Sequence, residues 1–126
     1  MNLLLDSCAL LALAQGSLSS DASRTLETAD DACVSVVSPW ELAIKIAKGS
    51  LSLNEPVYSW FTGLAEHYRL RVLALDPFTA CAAAALPPIH RDPFDRVLIA
   101  IAHHRQLTIL TSDQTIPTYR GVQTLW

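Results

Sequence analysis

The chain has 126 residues, 51% of them apolar and only 17% charged, with a formal net charge of −3. This length suits one domain, residues 1–126, whose core is large enough to fold without staples. The charge argues against the broad basic face of a nonspecific nucleic-acid binder, unless several acids are ligands whose cations reverse the local sign.

Cys8, Cys33 and Cys81 are odd in number, far apart and in no zinc spacing. Their small or β-branched neighbours predict buried, inert thiols, and a reducing cytoplasm fits them best. Met1–Asp6 lacks the basic start of a secretory leader. No apolar run approaches the roughly 20 residues of a membrane span. So little charge leaves apolar surface to cover, most simply with a second copy of the chain.

Asn2–Leu5 is an apolar run ending at Asp6, the pattern of a buried parallel strand. Ser7–Gln15 is a Leu/Ala-rich helix closed by Gly16, and Ser19–Asp31 a more exposed one capped by Ser19 or Ser20. Cys33–Val37 is a second strand. A helix from Ser38 to Lys48 follows, stopped by Gly49. Ser38 is its expected cap, Pro39 its first residue and Glu41 the acid of a capping box. Pro56–Tyr68 is amphipathic, with Trp60, Phe61 and Leu64 inward. Arg71–Leu75 is a third strand and Pro77–Leu86 an alanine-rich helix. Asp92-Pro93-Phe94-Asp95 repeats the order cap, proline, filler, acid, and opens a helix through about Arg105. Val97, Leu98, Ile101 and Ala102 fall on its apolar face. Leu107–Leu110 is the fourth strand. A helical turn from Gln114 and a strand Val122–Leu125 complete the chain.

Short apolar strands alternating with helices describe an α/β fold with a mainly parallel sheet of about five strands. In such a sheet the strands all end on one edge, where ligands bind. Four acids map there: Asp6 ends the first strand, Glu41 and Asp95 sit in first helical turns, and Asp113 lies three residues past Leu110. Each has an ordinary explanation. Glu41 and Asp95 can be capping chemistry and Asp113 a turn aspartate. Asp6 is harder to dismiss, because a carboxylate beside a buried strand is costly unless paired or ligated.

Coincidence on one rim favours a shared hard cation, Mg²⁺ or Mn²⁺. Such ions take oxygen ligands and promote in-line phosphodiester displacement. Lys45, Lys48 and Arg96 are the candidate phosphate contacts. His103 and His104 are adjacent near a helix C-terminus, which suits the dipole better than a metal. His90 is either a phosphate contact or a solvated loop residue. Trp40, Trp60 and Phe61 are expected in the core or at a dimer contact.

These segments carry a resemblance. Leu3-Leu4-Leu5-Asp6-Ser7-Cys8 resembles the strand–Asp–Ser/Thr start of PIN domains. Ser38-Pro39-Trp40-Glu41-Leu42-Ala43-Ile44-Lys45 is similar to the helix bearing their glutamate. His90–Ala100 resembles their third acidic motif, and Thr111-Ser112-Asp113 their fourth. Motif order covers nearly the whole chain, and the group most similar is the VapC-like toxins of toxin–antitoxin pairs. The resemblance implies a three-layer α/β/α PIN fold and Mg²⁺- or Mn²⁺-dependent endoribonuclease activity. It also implies a homodimer silenced by a small antitoxin protein. Carried over, Asp6, Glu41, Asp95 and Asp113 are the metal-binding and catalytic acids, and Ser7 and Ser112 orient them by hydrogen bonds. Asp92 either ligates metal or caps the helix, and its place before Pro93 favours the cap. A PIN-like scaffold that binds a partner without catalysis is the alternative. An aspartate-based phosphatase fits poorly, since it needs a second acid two residues after the first, where Cys8 stands.

Overall fold

Five strands, β1 (Asn2–Leu5), β2 (Asp31–Ser35), β3 (Arg71–Leu73), β4 (Thr108–Leu110) and β5 (Gln123–Leu125), form one sheet in the computed structural model, which describes residues 1–126. All pairings are parallel, in the order β3-β2-β1-β4-β5. Six helices connect them: α1 (Ser7–Gln15), α2 (Ser20–Thr28), α3 (Val37–Ala47), α4 (Val57–His67), α5 (Pro77–Ala85) and α6 (Pro93–Arg105).

Alternation along the strands builds two cores. Leu4, Cys33 and Ile109 pack with Leu98, Ile101 and Ala102 of α6 on one face. Leu3, Leu5, Val34 and Leu110 pack with Leu10 and Leu13 of α1, Ala22 of α2 and Phe61 of α4 on the other. Three layers result, as expected. The central strand β1 is covered on both faces, which is why Leu3, Leu4 and Leu5 run together without a polar residue between them.

Strand order fixes where a site can form. The chain leaves β1 for β2 and β3, then crosses back to place β4 on the opposite side of β1. The switch in direction therefore lies between the ends of β1 and β4, where the two flanking connections diverge and open a crevice. Asp6 follows one of these strands and Thr111 the other, with the Asp6 amide donating to the Leu110 carbonyl at 3.2 Å.

Two boundaries correct the expectation. Strand β2 runs two residues earlier than Cys33–Val37, because the Ser35 hydroxyl accepts the Val37 amide at 3.2 Å and turns the chain into α3. Consequently Ser38 is not the cap. Helix α3 starts at Val37, its flanking residue Val36 is already helical, and no side chain caps it. Ser38 is buried inside the first turn, and its hydroxyl has no hydrogen-bond partner. The apolar stripe of α6 is also wider than one face: Leu98 to Ala102 are all buried. The thiols divide as well. Cys33 is buried, whereas Cys8 and Cys81 are exposed because both lie on outward helix positions.

Arg96 serves the fold. Its guanidinium donates to the carbonyls of Ala84, Leu86, Pro87 and His90 and to the Tyr119 hydroxyl, at 2.8–3.4 Å. These contacts gather the α5–α6 connection around one cation. The donors expected for RNA phosphate are therefore committed to backbone oxygen.

Candidate active site

Asp6 is 3% exposed and caps α1, its Oδ1 accepting the Ala9 amide at 2.7 Å. Its other oxygen accepts the Thr111 hydroxyl. Burial pushes this carboxyl above the ordinary carboxylate range; the Thr111 and Ala9 hydrogen bonds oppose that, and the charges of Glu41 and Asp113 add to it.

Glu41 is 6% exposed. Because α3 starts at Val37, Glu41 falls in the second turn, too far along to form a capping box with Ser38. Capping therefore does not account for this residue. Its Oε1 accepts from the Ser7 hydroxyl at 2.7 Å and its Oε2 from Lys45 Nζ at 2.9 Å. The Ser7 hydroxyl thus fixes one oxygen of Glu41. Lys45 is held against Glu41, while Lys48 is exposed and free of ion pairs.

Asp95 sits in the first turn of α6, and Asp92 caps that helix by accepting the Phe94 amide at 2.9 Å. Capping is thus the role the geometry gives Asp92. Burial, reinforced by the charges of Asp92, Glu41 and Asp6 against an opposing pull from His90, pushes the Asp95 carboxyl up to about 7. Asp113 behaves oppositely. Burial pushes it up, but the amides of Thr115 and Ile116 and the His90 imidazole outweigh this and hold it below the ordinary range.

Asp6, Asp95 and Asp113 are linked through two bridging side chains, and Glu41 lies within reach of the Asp6 and Asp95 charges. Thr111 joins Asp6 to Asp113, since its hydroxyl donates to Asp6 and accepts the Asp113 amide at 3.0 Å. His90 Nε2 joins Asp95 to Asp113, at 3.0 Å and 3.2 Å from their Oδ2 atoms. Ser112, expected to orient a ligand, is exposed and makes no hydrogen bond through its side chain. A one-residue shift gives that task to Thr111.

The contacts that Thr111 and His90 make with the acids were not among those the sequence led us to expect. Thr111 had a signal, since the hydroxyl next to the strand end points into the switch crevice. For His90 no periodicity or motif spacing brings a loop residue to Asp113, 23 positions away.

Two neighbours frame the rim. Trp40 and Phe94 meet edge to face at 5.1 Å, joining the starts of α3 and α6. Trp40 is 60% exposed, which removes the core from the two places, core or dimer contact, expected for it. Partial desolvation of its sulfur, on a residue otherwise exposed, and the Asp6 charge push the Cys8 thiol up, which makes it a poor nucleophile.

A parallel α/β sheet with acids gathered at its switch point puts oxygen donors on the rim where such folds bind their ligands. The comparisons narrow this. The PIN domain model matches residues 3–121, and the chain belongs to the PIN-domain family. Ribonuclease VapC22 of Mycobacterium tuberculosis is 35% identical over 112 residues, spanning 86% of this chain and 85% of that protein. The fold is shared with VapBC2 of Rickettsia felis, solved with promoter DNA (TM-score 0.75, 12% identity, 100% of this chain and 99% of the other). It is also shared with DNA-bound VapBC of Salmonella typhimurium (TM-score 0.70, 18% identity, 99% and 97%). The particular kin of this chain are thus the VapC ribonucleases.

Proposed function

We propose that this chain is a divalent-metal-dependent endoribonuclease, the toxin of a toxin–antitoxin pair. It works in the cytoplasm as a homodimer that a cognate antitoxin silences. The observation that carries the reading is electrostatic. Asp6, Glu41 and Asp95 are buried or nearly so within reach of one another's charges, and Lys45 is the ammonium group among them. Carboxylates packed this way are costly unless a cation joins them.

The donor set fits a hard ion. Asp6, Glu41, Asp95 and Asp113 offer oxygen only, no thiolate lies among them, and Mg²⁺ and Mn²⁺ prefer such ligands. These four acids would hold it, and when bound it supplies the positive charge that activates water and steadies the departing oxygen. The chain's own residues do the rest. Ser7 and Thr111 fix the orientation of Glu41 and Asp6. Lys45, partly exposed beside Glu41, offers an ammonium to a phosphate oxygen, and Lys48 lies about one turn on, at the C-terminal end of α3. The kinship with VapC22, named a ribonuclease, supports RNA as substrate. The shared fold with the VapBC assemblies supports an antitoxin partner.

Purified protein incubated with RNA tests this. Cleavage is expected with Mg²⁺ or Mn²⁺, to stop in EDTA, and to fall by at least about a hundredfold in Asp6→Asn or Asp95→Asn. Undiminished cleavage in EDTA, or in either variant, contradicts it. An inactive wild type in every divalent ion would leave the partner-binding scaffold as the better account.

A further inference from the structure

His90, Asp95 and Asp113 present one imidazole nitrogen and two carboxylate oxygens within 4.8 Å of one another, an arrangement with the outward form of a three-ligand metal site. The hydrogen bonds around the ring say otherwise. His90 Nδ1 accepts the backbone amide of Asp92 at 3.1 Å. An amide N–H points only at a nitrogen that carries no proton, so the ring proton of the neutral imidazole belongs on Nε2. Nε2 is the atom facing the two acids, at 3.0 Å from Asp95 and 3.2 Å from Asp113. A protonated nitrogen has no lone pair to give a metal.

The loop is built to keep this tautomer. The His90 amide donates to the Tyr119 hydroxyl at 2.7 Å, and its carbonyl accepts from Arg96 at 3.4 Å. Tyr119 itself donates to the Pro87 carbonyl at 2.8 Å. With both backbone groups and one ring nitrogen engaged, and the side chain only 13% exposed, the ring cannot flip without breaking the Asp92 contact.

We infer that His90 is a positioning residue: as the neutral Nε2–H tautomer it holds the Asp95 and Asp113 carboxylates together for a divalent cation without itself ligating that ion. Asp95 starts a helix and Asp113 sits on the loop after β4, so nothing covalent sets their spacing, and two carboxylates left alone repel. The shared N–H takes one oxygen of each. Asp95 Oδ1 is then the one oxygen among the four acids that accepts no hydrogen bond or ion pair from the protein.

This rests on the metal-binding reading proposed above, and the test separates the two. In ¹⁵N NMR of the full chain, the His90 ring is expected to show an unprotonated Nδ1 and a protonated Nε2, with and without Mg²⁺. In pulsed EPR, bound Mn²⁺ is expected to show no imidazole nitrogen coupling. A proton on Nδ1, or a nitrogen coupled to Mn²⁺ that disappears in His90→Ala, would overturn the inference and make His90 a ligand. His90→Ala is expected to weaken Mn²⁺ binding by about tenfold or more. His90→Gln, whose amide offers one acceptor and one donor, is expected to recover most of that loss. Unchanged Mn²⁺ affinity in His90→Ala overturns the positioning role. If that variant does not fold, the NMR and EPR results on the wild type decide alone. A wild type that binds no Mn²⁺ fails the nuclease reading itself, whichever tautomer it shows.

Discussion

The Thr111 hydroxyl faces two ways at the switch crevice, giving its proton to Asp6 and taking the Asp113 amide. Removing it while keeping the shape, as in Thr111→Val, leaves a buried carboxylate oxygen and an amide without partners. Urea denaturation should show a loss of about 1–3 kcal/mol. Ser112→Ala, one residue on, should change stability by less than about 0.5 kcal/mol, because that hydroxyl is exposed and unbonded. Equal effects from the two would contradict the site as described. At this scale the acids themselves were legible, because a carboxylate closing an apolar strand or opening a helix stands out against its neighbours. Their orienting partners were not. Choosing between Thr111 and Ser112 depends on which way one side chain leaves the end of β4, and His90 reaches Asp113 only through the tertiary fold.

Helix α3 shows why a strong local signal can mislead. Ser38-Pro39-Trp40-Glu41 satisfies every rule for a helix start, yet β2 ends at Ser35 and the helix is under way before Ser38. The register of β2 against β1, with Cys33 opposite Leu4, decides that boundary, and pairing register is not a local property. A cap at Ser38 would make Ser38→Ala cost about 1 kcal/mol. The buried, unbonded hydroxyl predicts instead a neutral or stabilising change, measurable as an unchanged or raised unfolding midpoint. Asp76, which caps α5 by accepting the Thr79 amide at 2.7 Å, should show the ordinary capping loss in Asp76→Ala. Between α5 and α6, Arg96→Ala should cost about 2–3 kcal/mol by stripping several carbonyls of their donor. Arg96→Lys should recover little, since one ammonium cannot span the same oxygens.

Across the whole molecule the alternation of strands and helices was readable, and with it a parallel sheet whose rim collects the ends of β1 and β4. Strand order was not readable: nothing in the sequence of β4 says that it pairs with β1 and not with β3. The same rim makes the free protein sensitive to pH. Asp6 and Asp95 have folded-state values above the ordinary 3.8, so the stability they contribute is complete in acid and is lost as pH rises, for Asp95 between about 4 and about 7. Asp113 lies on the other side, and its contribution is lost only as pH falls below about 4. In EDTA the melting temperature should therefore fall by several degrees from pH 5 to pH 7.5. Saturating Mg²⁺ or Mn²⁺ should close that gap, because an ion bound only to the folded state stabilises it. A melting temperature that rises over this interval in EDTA would contradict the burial of these acids.

Everything proposed here depends on acids from distant stretches of chain sharing one cation at the crevice between β1 and β4. Crystals grown with Mn²⁺, measured at the manganese absorption edge, test this most directly. An anomalous peak is expected within ligand distance of the Asp6 and Asp95 carboxylates, reached by oxygen and not by His90 Nε2. No peak at that rim at saturating Mn²⁺, or an ion bound only elsewhere on the molecule, would contradict it.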